Sequence, residues 1–223
     1  MYVRALPFRS LGQYHAHSPA PPSCAAHPIA RLSCPYTPLQ NSAGGSGTNT
    51  VVFEVAKLKG GGTGEIHIEL HPKWSPLGVK RFLKLTSIKF FDQCRFFRVI
   101  PGFVAQFGIQ GDPSINKQWE FKNIKDDPVV VSNKRGTIVF ADAGPDTRST
   151  QLFINFRDNA FLDKSGFSPI GKVTKGMNYV DQIFPSPDGP TAPSQGMINQ
   201  RGNAYLNAQF PDLTFIKRAY IQQ

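Results

Sequence analysis

From Val51 onward the chain reads as short alternating segments divided by glycine, proline and polar turns, the punctuation of an antiparallel β protein. "VVFEVAK" (51–57) and "EIHIEL" (65–70) alternate apolar and polar positions around "LKGGGTG", which predicts a hairpin. That glycine cluster lacks the GK[ST] ending of a phosphate loop and no helix pattern follows it, so the hairpin is the better reading. Further short strands are expected near 94–100, 103–107, 129–132, 137–141, 151–156, 169–174 and 213–221, the last pairing with the first. Residues 75–88 break the alternation. Ser75 suits an N-cap, Pro76 the first helical position, and Val79, Phe82, Leu83 and Leu85 form an apolar stripe, so a helix is expected. A second short helix is expected around 176–184, ahead of the Pro/Gly-rich "PSPDGPTAPSQG". "NKQWEFKNI" reads as a long loop that Trp119 packs down or that extends a groove. Many short strands with two helices predict a mainly β fold, a closed eight-stranded antiparallel barrel capped by two α-helices.

Residues 1–50 differ in kind. They are rich in Pro, Ser, Ala and His, contain Arg4, Arg9 and Arg31, and have no Asp or Glu. Such a stretch cannot fill a core and is expected to be disordered, joined by the Gly/Ser run "NSAGGSG" to a folded domain over 51–223. Its acid-free composition fits a removable organelle leader and equally a plain disordered arm, so cytoplasmic and organellar locations both stay open. With 18 phenylalanines and 40% hydrophobic residues the chain has ample material for a core. Its apolar runs fall far short of the roughly 20 residues that span a bilayer, so a soluble protein is expected. Net charge is +10, but the basic residues are scattered rather than massed, and no nucleic-acid-binding motif accompanies them. Cys24, Cys34 and Cys94 fit neither a disulfide framework nor a CxxC metal site. Cys94 is expected to be a small buried hydrophobe, and His67 and His71 are given no metal role.

Three stretches carry both apolar rings and isolated hydrogen-bonding groups. In "FRVIPGFVAQFG" (97–108) a period of two sets Val104 and Gln106 on one face, with Arg98 ending the preceding strand. In "ADAGPDTRSTQLFINF" (141–156) Gln151 and Phe153 share a face, while Leu152 and Ile154 point the other way. "NAFLDKSGFSPIGKV" (159–173) brings Phe161, Leu162 and Phe167. Taken singly, each of these residues would be ordinary core or strand surface.

Together, and in this order and spacing, "FFRVIPGFVAQFG", "FADAGPDTRSTQLFI" and "FLDKSGFSPIGKV" resemble the cyclophilin family of peptidyl-prolyl cis–trans isomerases over about residues 51–221. The resemblance implies a barrel with two capping helices and an external groove that receives a proline and its neighbours. It implies Arg98 as the catalytic arginine, with Gln106 beside it, Phe103 as the aromatic floor of the proline pocket, and Val104 where methionine is usual. Ala141, Asp142 and Ala143 would hold substrate through backbone groups. Gln151 would add a polar contact, and Phe153 and Leu162 would wall the pocket. Phe161 stands where many members have tryptophan and Phe167 where many have histidine, so binding of the cyclic peptide cyclosporin is expected to be weakened. The implied activity is acceleration of rotation about X–Pro bonds in proline-containing peptides and proteins, by a monomer needing neither cofactor nor metal. Its competitor is a cyclophilin-like module that binds proline segments without turnover.

Overall fold

The structure, a computed structural model, describes residues 50–187 and 189–222; the leader expected over 1–50 lies outside them apart from Thr50. Eight strands form one curled antiparallel sheet in the order β3-β4-β6-β5-β7-β2-β1-β8. They are β1 (Thr50–Ala56), β2 (Thr63–Leu70), β3 (Arg98–Ile100), β4 (Val104–Phe107), β5 (Thr137–Phe140), β6 (Leu152–Asn155), β7 (Pro169–Lys175) and β8 (Phe215–Ile221). The first two make the expected hairpin, and Gly60, Gly61 and Gly62 turn it with φ of 85°, 84° and 104°, a region that costs glycine little. β8 does pair with β1, as predicted.

Closure is where expectation and structure part. The sheet ends at β3 and β8, which do not pair as strands. Only the segment before β3 stitches them: Arg95 bridges Phe215, Phe96 N–H donates to the Thr214 carbonyl at 2.9 Å, and Ile216 N–H donates to the Cys94 carbonyl at 2.9 Å. At β3 itself Val99 N–H donates instead to the Ser186 hydroxyl at 2.8 Å, which satisfies an edge that would otherwise stay open to another strand. The result is a curled sheet with a loosely sewn seam rather than a continuous ladder.

The concave side of the curl is filled by phenylalanine. Phe53 meets Phe107 edge to face at 5.6 Å, Phe82 packs on Phe91 at 5.2 Å, and Phe96 packs on Phe107 at 5.1 Å. Fully burying each such ring contributes about 1.5–3 kcal/mol. Cys94 lies in this core as expected; its thiol donates to the Phe90 carbonyl at 3.4 Å, and burial, with Asp92 nearby, pushes its pKa far up.

Among the described residues there are four α-helices instead of two. α1 (Pro76–Ser87) buries Val79, Phe82 and Leu85, the expected stripe. α2 (Pro113–Trp119) occupies part of the expected loop; Asp112 caps it by accepting from Ser114 N–H at 2.8 Å. Trp119 packs edge to face on Phe90 at 5.9 Å, so it holds this region down. α3 (Met177–Val180) is one turn, shorter than the 176–184 predicted. α4 (Gln195–Gln209) was not foreseen, because glycines and asparagines blur its apolar period and Gly202 kinks it. At Gly202 φ is 55° and a Cβ would lie 2.0 Å from the Gly111 carbonyl oxygen, so only glycine fits. The strand expected over 129–132 does not form: "VVV" joins no ladder, and Val130 is exposed. Among the described residues no helix is long and apolar enough to cross a membrane.

Ser75 precedes α1 but its hydroxyl does not cap the helix; it donates to Asp127 at 2.5 Å. The cap comes from Asp127 itself, some fifty residues along the chain, which accepts from Gly78 N–H at 2.9 Å and Leu77 N–H at 3.2 Å. Arg148 completes the cluster, pairing with Asp127 at 3.1 Å while both side chains are only 3% exposed. Burial alone would raise the Asp127 carboxyl, but donors from Ser75, Gly78, Leu77 and Arg148 outweigh it and hold the pKa below the ordinary carboxylate value. Its contribution to stability is therefore complete above the unfolded value of about 3.9 and is lost as pH falls through the lower folded value. We expect Asp127→Ala to cost about 3 kcal/mol at neutral pH, since it leaves the buried Arg148 guanidinium with only the exposed Asp126 carboxylate, at 3.2 Å, as an ion-pair partner. Asp127→Asn should lose less stability than the wild type between pH 5 and pH 2; urea midpoints across that range would check both.

Candidate active site on the outer face of the sheet

β3, β4, β6 and β5 are apolar on both faces, and pairing register decides what each face does. Val99, Ala105, Ile154 and Ile138 align across the four strands and enter the Phe-rich interior. The next row, Arg98–Gln106–Phe153–Val139, lies on the opposite face. Arg98 thus shares a face with Gln106 and Phe153 through the pairing register. On that face Phe103, Val104, Val139, Ala141, Phe153, Leu162 and Phe167 form a second apolar cluster, distinct from the interior, with Ile100 packed against it.

The depth of the cluster is uneven. Phe153 and Val104 are fully covered, whereas Phe103, Ala141, Leu162 and Phe167 show narrow edges of 3–5%. Phe161 is 54% exposed and stacks on Phe103, with centroids 5.9 Å apart and planes 19° off parallel. Phe167 meets Phe153 edge to face at 5.7 Å. The Phe167 ring is therefore part of the wall. The surface offered to a ligand is a shallow aromatic depression rimmed by Phe161. A separate recess of about 320 Å³ on the seam, lined by Lys59, Val99, Arg135 and Asp181 among others, does not include Arg98.

Polar groups run beside the cluster as a relay. Arg98 Nη1 donates to Gln106 Oε1 at 3.4 Å, Gln106 Nε2 to Gln151 Oε1 at 2.9 Å, and Gln151 Nε2 to Gln195 Oε1 at 3.0 Å. Gln106 is only 1% exposed, so its carboxamide is a buried polar group satisfied on both sides. The segment expected to present backbone groups is partly engaged already. Ala141 N–H donates to the Gln151 carbonyl at 2.9 Å and Ala143 N–H to Thr147 Oγ1 at 2.8 Å, which leaves carbonyl oxygens as its stronger offer. Asp142 turns its own loop by accepting from Gly144 N–H at 3.1 Å.

Three buried asparagines fix the walls from behind, and sequence reading did not single them out. Asn159 Nδ2 donates to the Phe103 carbonyl at 3.1 Å and to Asn155 Oδ1 at 2.8 Å. Asn155 Nδ2 donates to Asn133 Oδ1 at 3.2 Å, and Asn133 Nδ2 to the Phe167 carbonyl at 2.8 Å and to Asp163 Oδ1 at 2.7 Å. All three are 0% exposed. Asp163 also takes Ser132 Oγ and Asn133 N–H; burial would raise its carboxyl, but these donors hold it below the ordinary value. The network ties the 3-10 turn Ala160–Ser165, which carries Phe161 and Leu162, to the floor of the depression. Val139 and Ile100 were readable by extending the two-residue period; the asparagines and Gln195 had no local signal.

Residues 52–200 match the sequence profile of the cyclophilin type peptidyl-prolyl cis-trans isomerase/CLD family. A peptidyl-prolyl cis-trans isomerase of Acinetobacter baylyi is 34% identical over 143 residues, covering 61% of this chain and 76% of that protein. Peptidyl-prolyl cis-trans isomerase A of Dickeya dadantii is 39% identical over 129 residues, 54% of this chain and 66% of the relative. A crystal structure of a Cryptosporidium parvum cyclophilin type peptidyl-prolyl cis-trans isomerase superposes with a TM-score of 0.58 at 20% identity, covering 79% of this chain and 98% of that one, a likeness of fold. The chain belongs to the cyclophilin-type peptidyl-prolyl cis–trans isomerases and is an enzyme of that class.

Removing the anchor of the depression should show in both stability and turnover. Asn159→Ala deletes two buried hydrogen bonds and leaves Asn155 Oδ1 short of a donor, while the Phe103 carbonyl keeps Phe156 N–H, so a loss of about 1–3 kcal/mol is expected. Urea denaturation read against wild type measures it.

Proposed function

We propose that this enzyme rotates X–Pro bonds in the depression on the outer face of β3, β4, β6 and β5, with Arg98 as the group that favours the twisted amide. The carrying observation is the shared face: a cation at position 98 in cross-strand register with Phe153, beside an aromatic cluster able to hold a pyrrolidine ring.

Resonance in the prolyl amide sets a barrier of about 18–20 kcal/mol, and rotation unaided takes roughly tens to hundreds of seconds. No bond is made or broken, so the chemistry asks for neither nucleophile nor metal. A catalyst must bind the twisted amide more tightly than either planar form. As the amide twists, conjugation is lost and the proline nitrogen becomes pyramidal and more basic. The Arg98 guanidinium supplies a donor that gains strength only at that point, and it stays charged at any working pH. Phe103, Leu162 and Phe161 hold the ring by apolar contact, with Phe153, Val104 and Phe167 backing them, while the preceding carbonyl swings. Gln106 orients the guanidinium, Gln151 holds Gln106, and the backbone of Ala141, Asp142 and Ala143 accepts from the extended substrate. Proline-containing peptides and proteins are the substrates in this reading, and one chain suffices as the working unit.

Two outcomes test it. Arg98→Ala removes a hydrogen bond from a charged group, about 1.5–3 kcal/mol, so isomerisation of a proline peptide should slow about 10- to 150-fold with the fold intact. Equal rates for variant and wild type would overturn the reading. Phe161 lacks the indole N–H of the tryptophan common at this place, which weakens cyclosporin binding; Phe161→Trp should restore affinity by about two- to tenfold in calorimetric titration.

A further inference from the structure

α4 has no part in the mechanism so far, yet the Gln106–Gln151 relay beside Arg98 ends on that helix. Arg98 and Gln106 stand on β3 and β4 and Gln151 immediately precedes β6, whereas Gln195 is the first residue of α4, in a stretch whose sequence reads only as a Pro/Gly-rich loop. Guanidinium chemistry fixes the direction of the chain of bonds. Arginine can only donate, so Gln106 must turn its oxygen toward Arg98 and its nitrogen toward Gln151. Gln151 then has its oxygen occupied and must donate onward, which makes Gln195 the terminal acceptor. Each bond polarises the next.

The helix is built to hold that acceptor still. Ser194 caps it, its Oγ accepting from Met197 N–H at 3.4 Å, and Ser194 N–H donates to the Tyr205 hydroxyl at 3.2 Å. Ile198, Tyr205 and Leu206 pack with Phe97 and Ile109 in a third apolar cluster, and Phe97 immediately precedes Arg98. Farther along, the kink at Gly202 lets Asn203 N–H donate to the Gly111 carbonyl at 2.8 Å, which seats the second half of the helix against α2.

We propose that Gln195 is a positioning residue for isomerisation: its side-chain oxygen terminates the Gln151–Gln106 relay and thereby holds the Arg98 guanidinium in its working orientation. This rests on the reading of Arg98 as the catalytic group. The role is that of an acceptor, not of bulk or charge. A carboxylate at 195 can accept the same bond; an aliphatic side chain or an ammonium cannot.

The test is an acceptor series at position 195, read by NMR exchange on a bound proline peptide, which separates turnover from affinity. Gln195→Leu and Gln195→Lys should each lower kcat about three- to tenfold with KM changed by less than about twofold. Gln195→Glu should stay within about twofold of wild type. Thermal melting of all three, with Arg98→Ala alongside, separates loss of fold from loss of orientation; if the leucine variant does not fold, the lysine and glutamate pair still carries the contrast. Turnover at the wild-type level in Gln195→Leu or Gln195→Lys, with Arg98→Ala inactive, overturns this inference alone. So does a fall in Gln195→Glu as large as in Gln195→Lys. Full activity in Arg98→Ala removes the groove reading and this inference with it.

Discussion

Four short strands with apolar residues on both faces carry a constraint that the rest of the molecule obeys: their register cannot slip by a single residue. A shift of one in β4 against β3 and β6 would turn Gln106 into the phenylalanine interior and Ala105 outward. Burying an unmatched carboxamide in that way costs several kcal/mol, so the site's chemistry itself helps to pin the pairing. Arg98 faces outward for the same reason that Val99 faces inward. The candidate site is the reverse side of the core.

Support for that surface is mostly polar and mostly remote in sequence. Asp127 and Arg148 clamp the start of α1 to the loop that follows Ala141–Ala143, and Thr147, next to Arg148, holds Ala143 N–H. Asn133, Asn155 and Asn159 tie the floor, wall and rim of the depression together without reaching solvent. The Asp127–Arg148 pair and the three asparagines are buried, where a missing partner is expensive, and that expense makes each geometry specific. Apolar packing gives the depression its shape, and these bonds fix its alignment.

Much of this was readable along the chain, and the failures share a cause. Strands whose alternation is local were found, because period two requires only near neighbours. The same periodicity set Val104 with Gln106 and Gln151 with Phe153, whereas Arg98 and Phe103 were named as candidate site residues only through the resemblance of three linked motifs. What escaped needed partners far away. α4 is held by Phe97 and Ile109 rather than by its own weak apolar stripe. The cap of α1 arrives from Asp127, and "VVV" at 129–131 has strand propensity but no neighbour to pair with. α2 is the exception: Asp112-Pro113 is a local helix-start signal. The seam between β3 and β8 is a matter of three-dimensional closure, on which alternation is silent.

Cys94 carries a consequence for how the domain meets oxidising chemistry. Alkylating reagents and peroxides attack the thiolate, and a sulfur sealed among phenylalanines with a strongly raised pKa supplies almost none. Among the described residues it is the one cysteine, and it lies on the seam segment rather than beside the depression. Modification of Cys94 therefore becomes a reporter of unfolding.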